Sequence, residues 1–204
     1  MAANTALPPV SAAHCGTDRL RVIAGEYKGR SLLTVSDRTV RPVTDRVKGT
    51  IFNMLQNRLA LHGSRVLDLF AGSGSLGFEA LSRGAGRVLF VDSNRLALDM
   101  ISKNVKTLNC SDRCEVFQTE ALKFVDHCDE RFDLIFADPP YAFELTHQIP
   151  ESVFRHELLK RSGFLIIEHS KHTRFADAES FQLSIQKEFG ATRVSFFNHR
   201  TKDT

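Results

Sequence analysis

From residue 64 onwards, short runs of apolar residues alternate along the chain with longer segments in which apolar residues recur at helical spacing. The apolar runs are typical of buried strands and occupy 65–69, 87–91, 114–117, 132–136 and 163–168. Segments of helical character lie between them, at 75–83, 94–108, 119–125 and 151–159. Two further β-rich runs follow at 181–188 and 191–198. This alternation predicts an α/β fold, with a mostly parallel seven-stranded sheet and helices on both faces.

The segment before this pattern predicts a small extension of the same domain. Residues 19–35 read as two short strands around a turn at 25–29, which predicts a β-hairpin. A helix is expected after Thr44, a favourable N-cap, although Gly49 inside it costs about 1 kcal/mol relative to Ala. We expect a flexible tail at 1–17 and a single domain at 18–204, in which 18–43 form the hairpin extension.

Composition and charge narrow the classes of protein that fit. Apolar residues make up 42% and charged residues 25%, as in ordinary globular proteins. No apolar run reaches membrane-spanning length, and the first residues lack the features of a secretory signal. The four cysteines show no metal-binding spacing, which favours a cytoplasmic protein with reduced thiols and no metal. Residues 1–50 hold eight Lys or Arg against four Asp or Glu, an excess that suits a polyanionic partner.

The first strand-to-helix turn, DLFAGSGSLGFEA, carries a G-x-G-x-x-G pattern that leaves the cofactor undecided. Glycines at such a turn suit any ligand that approaches the backbone closely. Asp68 favours S-adenosylmethionine over a nicotinamide dinucleotide, because its carboxylate would repel a pyrophosphate but attract a cationic cofactor. Asp92, at the end of the next strand, is placed to accept hydrogen bonds from ribose hydroxyls. The alternative role for Asp68 is that of a helix or turn cap.

The second motif, FADPPY at 136–141, follows the fourth predicted strand. Two consecutive prolines fix the backbone, so that Asp138 and the Pro139 carbonyl present two rigid acceptors. Together they suit an exocyclic amine of a nucleobase, whose nitrogen becomes nucleophilic once both hydrogens are held out of the ring plane. Tyr141 offers an aromatic face for the extruded base. Glu168 and His169, at the end of the fifth strand, allow two interpretations: a role at the edge of the site, or a satisfied polar pair at the strand terminus, which is favoured.

With both motifs placed, the sequence resembles the RsmD-type bacterial 16S ribosomal RNA (guanine-N2)-methyltransferases from about Leu20 to about Ser170. The resemblance rests on RVIAGEYKGRSL, RPVTDRVKGTIFNML, VLDLFAGSGSLGFEALSRGA, FVDSN and FADPPY. It implies a class I (Rossmann-like) methyltransferase fold, S-adenosyl-L-methionine as cofactor, and 16S rRNA, within an assembled or partly assembled small subunit, as partner. A monomer is expected. Gly49 stands where the family usually has Glu.

The resemblance also assigns roles to individual residues. It implies a catalytic loop of Asp138, Pro139, Pro140 and Tyr141. It implies cofactor binding by Asp68, Phe70, Ala71, Gly72, Gly74, Asp92, Ser93, Glu120 and Ala121, with Glu120 placed to contact the adenine. Phosphate contacts with RNA are expected from Arg21, Lys28, Arg30, Arg41 and Arg46, and Arg19 and Lys48 belong to the same basic segment.

Three alternatives remain open at this point. A DNA adenine-N6 methyltransferase would use the same loop chemistry, but usually needs a further domain to read a duplex. A nicotinamide-dependent dehydrogenase would use the glycines but conflicts with Asp68. A non-catalytic module would keep the cofactor site and lose the reaction.

Overall fold

The structure is a computed structural model that describes residues 20–35 and 44–200. Five helices lie in these ranges: α1 (Asp45–Leu55), α2 (Ser75–Ser82), α3 (Arg95–Leu108), α4 (Ala121–His127) and α5 (Ile149–Arg155). The strands are β1 (Arg65–Leu69), β2 (Arg87–Asp92), β3 (Cys114–Gln118), β4 (Phe132–Ala137), β5 (Leu159–Ser170), β6 (Phe181–Phe189) and β7 (Thr192–His199). Single 3₁₀ turns occupy Ser111–Arg113 and Glu144–Gln148.

The seven strands form one sheet in the order β3-β2-β1-β4-β5-β7-β6. The first five in this order run parallel, while β7 pairs antiparallel with both β5 and β6. The strand order reverses between β1 and β4, where Leu69 lies opposite Ala137. In open α/β sheets ligands bind beyond the carboxyl ends of the strands at such a reversal. The turn after Leu69 and the loop after Ala137 therefore meet where a ligand is expected.

Apolar side chains cover both faces of the sheet, as the alternation predicts. One core packs α1, α2 and α3 against the sheet, and Phe78, Phe90 and Phe136 are completely buried in it. The other packs α4 and α5 against the opposite face around Ile135 and Ile167. The predicted doubly covered sheet is confirmed.

The N-terminal segment 20–35 differs from the predicted hairpin. Within it a single antiparallel bridge joins Arg21 to Ser31, and no strand forms. The reason lies in its donors, because Ile23 and Ala24 give their N–H groups to the Glu79 carboxylate, at 2.8 and 3.1 Å. Tyr27 gives its N–H to Ser82 Oγ at 2.8 Å. The arms still pair through the Val22 N–H, which donates to the Arg30 carbonyl at 3.0 Å, and the Leu32 N–H, which donates to the Leu20 carbonyl at 2.8 Å. The segment is therefore a short, irregular hairpin whose turn packs on α2. Residues 18, 19 and 36–43 of the predicted extension lie outside the described residues.

A buried ionic cluster holds this segment, α1 and α2 together. The Lys48 side chain of α1 is 0% exposed, and its Nζ donates to the Arg21 carbonyl at 2.6 Å and to Ser75 Oγ at 3.0 Å. Glu79, also 0% exposed, accepts from Arg83 Nε at 2.7 Å. Burial lowers the pKa of Lys48, and the negative charge of Glu79 raises it in part. The expected phosphate contact of Lys48 is therefore wrong, because its ammonium is enclosed by protein.

The boundary between α5 and β5 also departs from the prediction, which extended a helix over 151–159. Helix α5 starts earlier, at Ile149 with Pro150 in its first turn, and ends at Arg155. Glu157 adopts a left-handed conformation with φ of 53°, which ends the helical path. Strand β5 pairs with β4 from Leu159 onwards, so the last residue of the predicted helix is the first residue of β5, four residues before the predicted start of the strand.

Gly49 supplies a test of local stability. It lies in the interior of α1, and a Cβ there would meet only Ile23 Cδ1, at an ordinary 3.6 Å. We expect Gly49→Ala to raise the free energy of unfolding by about 1 kcal/mol, because Ala has the higher helix propensity. Urea denaturation measures the change. Gly77→Ala is the matched control of opposite sign, since its Cβ would lie 2.4 Å from the Phe90 ring. A destabilised Gly49→Ala variant would contradict the prediction.

Candidate active site

The glycine-rich turn after β1 needs its glycines for two different reasons. Gly72 and Gly74 have positive φ, 52° and 72°, and Gly74 forms the N-cap of α2. Gly77 is required by packing, because its Cα faces the Phe90 ring at the close approach of α2 to β2. Phe70 also has a positive φ, 59°, an uncommon conformation for an aromatic residue. The backbone of this turn is thus folded tightly over the end of β1, as a ligand-binding turn requires.

Asp68 lies beneath this turn and is 2% exposed. Its Oδ2 accepts the N–H of Gly77, in the first turn of α2, at 2.9 Å. The carboxylate therefore caps a helix N-terminus, the alternative role considered from the sequence. Burial raises the pKa of Asp68 to about 8; the Gly77 hydrogen bond opposes this shift, and the nearby Asp92 adds to it. A carboxyl group in this position gains from an added positive charge.

Asp92 joins the β2 end to the glycine turn. Its Oδ2 accepts from the Gly72 N–H at 2.7 Å, and its Oδ1 accepts from the Asn94 N–H at 2.8 Å. Each carboxylate oxygen has a further lone pair, so both can still accept from ligand hydroxyls. Asp92 is only partly buried, which leaves this acceptor pair accessible beside the turn.

A cavity of about 360 Å³ opens next to Asp92, between the ends of β2 and β3. Its walls include Ser93 and Glu120, both expected at the cofactor site, together with Gln118, Thr119 and Lys123. The Thr119 N–H donates to the Asp92 carbonyl at 3.1 Å, which fixes the floor between the two strands. Ala121, also expected here, is buried at the start of α4. Polar side chains therefore line a cavity that lies beside the two carboxylate oxygens of Asp92.

The DPPY loop begins where β4 ends, directly beside the glycine turn. Pro139 is buried and Pro140 exposed, and the loop closes through the Phe143 N–H, which donates to the Pro140 carbonyl at 2.8 Å. The rings of Phe143 and Phe70 meet edge to face, with centroids 4.9 Å apart. This contact couples the conformations of the two loops. The Tyr141 side chain is 69% exposed, at the outer side of the loop.

Asp138 shares its surroundings with two other carboxylates. Burial raises its pKa well above the usual range, and the charges of Glu168 and then Asp68 raise it further. Glu168 therefore faces the catalytic loop, whereas His169 points to the other face of β5. His169 Nε2 lies 2.7 Å from Ser195 Oγ, and the ring is buried. The interpretation of Glu168 and His169 as one polar pair is therefore wrong, because neighbouring strand residues face opposite sides.

The basic residues expected to contact RNA lie at two different edges of the sheet. Arg21 forms an ion pair with Asp45, at 2.9 Å, and Arg46 is exposed in the same first turn of α1, near the start of α2. Arg30 instead donates to the Thr107 carbonyl in the last turn of α3. Since α3 starts at the carboxyl end of β2, its last turn lies at the opposite edge, and Lys28 in the same turn is placed with it. Arg41 and Arg19 lie outside the described residues.

The raised pKa of Asp68 makes a pH-dependent prediction. The folded protein retains this proton up to about pH 8, whereas the unfolded chain releases it near the ordinary aspartate pKa of 3.8. The contribution of Asp68 to stability is therefore complete below the unfolded pKa, and is lost as pH rises toward 8. Binding of a cationic ligand favours the ionised form, so its affinity should rise with pH and level off near 8. Calorimetric titration with S-adenosylmethionine between pH 6 and 9 measures this, and Asp68→Asn should flatten the profile.

Two contributors to the site were not predicted from the sequence. Phe143 was an unremarked apolar residue in the loop, and only its contact with Phe70 shows its place. Lys48 was read as one basic residue among several, although apolar neighbours in its helix, such as Val47 and Ile51, indicate the buried face. The helical period thus contained a signal for Lys48, while nothing in the sequence distinguishes Phe143.

Neither a metal cluster nor a membrane span is found in the described part of the chain. No group of three His, Cys, Asp or Glu there could hold a metal ion. Within residues 20–35 and 44–200, none of the helices has both the length and the apolar composition that crossing a bilayer requires.

Comparison with known proteins agrees with the fold and the motifs. The family model described as "Conserved hypothetical protein 95" matches residues 20–198. Ribosomal RNA small subunit methyltransferase D of Haemophilus influenzae is 37% identical over 183 residues, covering 88% of this chain and 94% of that protein. The protein of the same name from Escherichia coli K12 is 35% identical over 128 residues, 63% of each chain. The solved structure of yhhF from Escherichia coli superimposes with a TM-score of 0.79 at 27% identity, covering 90% of this chain and 99% of that one. The predicted resemblance is confirmed: the chain belongs to the family of ribosomal RNA small subunit methyltransferase D.

Proposed function

We propose that this protein transfers a methyl group from S-adenosyl-L-methionine to the exocyclic N2 amine of a guanine in small-subunit ribosomal RNA. One observation carries the proposal: the Asp138 loop and the Asp68 and Asp92 turn meet at the reversal of strand order. The hydrogen-bond acceptors of the Asp138 loop, which suit a base amine, therefore lie beside Asp68 and Asp92, which suit the cationic cofactor. The names of the relatives support rRNA as the substrate class. The choice of guanine N2 rests on the motifs shared with the RsmD family.

The residues present fit the proposed cofactor. Asp68 supplies a buried carboxyl group below the turn, whose ionised form a cationic cofactor would stabilise, and Asp92 supplies two acceptors beside the cavity that Ser93 and Glu120 line. Positive φ at Gly72 and Gly74 leaves the backbone free of side chains at the same place. When bound, S-adenosylmethionine supplies an electrophilic methyl group on a sulfonium.

The chain's own residues then act on the amine. Asp138 and the Pro139 carbonyl accept its two hydrogens, which turns the nitrogen lone pair out of the base plane and toward the methyl group. The rigid Pro-Pro backbone holds these acceptors without cost of reorganisation at the moment of reaction. The methylated nitrogen is acidic, and Asp138 lies where it can take the released proton. Its raised pKa, caused by burial and by Glu168, favours holding that proton. Tyr141 presents its exposed ring for stacking of the base.

The amine of adenine would fit the same two acceptors, so adenine-N6 methylation of DNA is the nearest competing reaction. A duplex must be read through its grooves by a dedicated element. Nearly all of residues 44–200 belong to the sheet, its covering helices and their connections. The described chain therefore contains no separate groove-reading domain, which favours a substrate whose base is already exposed.

The decisive experiment is methyl transfer from labelled S-adenosylmethionine to small subunits from a strain that lacks the family enzyme. Naked 16S rRNA and duplex DNA serve as parallel substrates, and mass spectrometry identifies the modified nucleoside. N2-methylguanosine from the subunits is expected. Label in adenine, or in DNA alone, would overturn the substrate, and cofactor binding without any label would favour a non-catalytic module.

A further inference from the structure

A second cavity, of about 450 Å³, lies outside the site described above. It opens between the β6–β7 hairpin and the connection that leads from β5 to β6. Its charged wall residues are Arg174, Arg193 and Arg200, against the single carboxylate of Asp177. The surplus of arginine gives the cavity an excess of positive charge. The amino-methylation chemistry makes no use of any of these residues.

The connection after β5 adds further positive charge to the cavity mouth. Lys171, His172 and Arg174 are all exposed, and we call Lys171–Arg174 the basic loop. The Arg174 guanidinium donates to the carbonyls of Lys171 and Thr173, at 2.9 and 3.4 Å, which orients it without cancelling its charge. Arg193 is paired with Glu188, so its charge is partly balanced. The dominant free charges are therefore those of the basic loop.

The basic loop is held in place by the sheet. The Lys171 N–H donates to the Ala191 carbonyl at 3.2 Å, and the Thr173 N–H donates to the Ser170 carbonyl at 3.0 Å. Phe175, which follows the loop, packs edge-on against His169 and Phe197, with ring centroids 4.8 and 4.9 Å apart. These contacts make the loop a fixed platform, so its charges are already oriented before a partner arrives.

The position of this platform relates it to the reaction. The cofactor turn follows β1 and β2, on one side of the β4 loop, while β5 and β7 lie on the other side. Neighbouring strands are about 4.8 Å apart, and the basic loop starts directly after β5, at the edge of the sheet where the Asp138 loop follows β4. Phe175 anchors it on the His169 face of β5, opposite the Glu168 face. A bound cofactor would cover the turn after β1, so the nucleotide strand that carries the target base is expected to leave the site toward β5. The basic loop lies on the side that remains open to it.

We propose that the basic loop, together with Arg193 at the cavity mouth, binds phosphates of the RNA strand that flanks the target base. This inference rests on the proposed function and adds a second substrate-contacting surface to it. Lys28 and Arg30 lie at the opposite edge of the sheet, so they cannot hold the strand beside the reacting base. Contacts with phosphates fix position without reading sequence. The partner at this surface is therefore the RNA backbone and not a base edge.

The test is the double variant Lys171→Glu/Arg174→Glu. Its matched control is Lys103→Glu/Arg161→Glu, which makes the same charge change at exposed residues on α3 and at the start of β5. Affinity for a labelled single-stranded RNA is measured over a salt series, alongside methyl transfer to small subunits and affinity for S-adenosylmethionine. We expect RNA affinity to fall about tenfold or more, and the salt slope to fall by about 1.4 for two lost contacts. Affinity for the cofactor should not change.

The outcomes separate this inference from the proposed function. If the double variant binds RNA as the control does, the surface does not contact RNA. A raised KM for subunits with unchanged RNA affinity would assign the surface to a ribosomal protein and overturn the RNA assignment. Absence of methyl transfer by the wild type would refute the proposed function alone, because the binding measurements still test the surface. The neutral variant Lys171→Gln/Arg174→Gln should lose less RNA affinity than the charge-reversed variant. It shows whether the effect persists without the risk that charge reversal disturbs the fold.

Discussion

Asp138→Ala should abolish methyl transfer while leaving the binding of S-adenosylmethionine intact. The substitution removes one of the two acceptors that orient the amine, and loss of one such group typically lowers kcat by about 10²–10³-fold. The cofactor side is spared, because Asp68 and Asp92 act through the separate turn after β1. Single-turnover methyl transfer measures the first effect, and calorimetric titration of the cofactor measures the second.

Stability separates this catalytic effect from misfolding. Burial and the nearby charge of Glu168 both disfavour ionisation of Asp138. Removal of the Asp138 carboxylate should therefore not lower the free energy of unfolding at neutral pH. Asp99→Ala, at an exposed position on α3, is the matched control and should retain full activity. Wild-type turnover by Asp138→Ala would refute its proposed role. Lost cofactor binding would show that the two loops are not separable.

Glu79→Ala should give the largest loss of stability. The carboxylate accepts from two backbone N–H groups and from Arg83, and it balances the enclosed ammonium of Lys48. Removal of one partner from a buried ionic cluster typically costs about 3–5 kcal/mol, because the remaining charge stays buried with too little compensation. Of the residues in the described ranges, only Asp45, with its Oδ1 3.9 Å from Lys48 Nζ, would still balance the ammonium. Urea denaturation followed by circular dichroism measures the loss. The N-terminal segment should also become sensitive to proteolysis, because its anchor on α2 is removed.

A double-mutant cycle tests the electrostatic part of this prediction. Adding Lys48→Met to Glu79→Ala removes the uncompensated charge, so the double variant should be less destabilised than the sum of the two single variants. Glu188→Ala is the control, because the Glu188 side chain is 61% exposed in its ion pair with Arg193, and ion pairs at the surface contribute about 0–1 kcal/mol. Strict additivity of Glu79→Ala and Lys48→Met would contradict the cluster as described.

The alternation of apolar runs predicts the central strands best, because β1, β2 and β4 are buried on both faces of the parallel part of the sheet. The seven strands predicted for the sheet are present, and β1 has the predicted bounds. The α5 to β5 boundary could not be placed, because residues 155–163, RHELLKRSG, show neither the helical nor the alternating pattern of apolar positions. The turn at Glu157 that separates α5 from β5 is set by its backbone conformation. The two arms of the N-terminal segment pair as predicted but form no regular strands, because Glu79 and Ser82, more than fifty residues away, accept the N–H groups of the residues between them.

The candidate site, like the fold, could be predicted from the sequence only in part. Asp68, Asp92 and Asp138 follow predicted strands, so the general geometry of parallel sheets places them at one edge. The burial of Lys48 and the orientation of Glu168 toward Asp138 depend on packing between distant elements. Sequence distance carries no information about such contacts. The roles of the cofactor-binding and RNA-binding residues stay predictions until the experiments above are done.

The position of β7 between β5 and β6 has a consequence for synthesis of the chain. Residues 192–199 are the last described strand to leave the ribosome, yet they fill the gap beside the apolar β5 segment Leu165–Ile167. Until then β5 presents an unpaired edge, the kind of surface through which incomplete chains associate. The nascent protein therefore passes through a stage in which its parallel core is complete but its edge is open to aggregation. Any truncation before Thr192 would make that stage permanent.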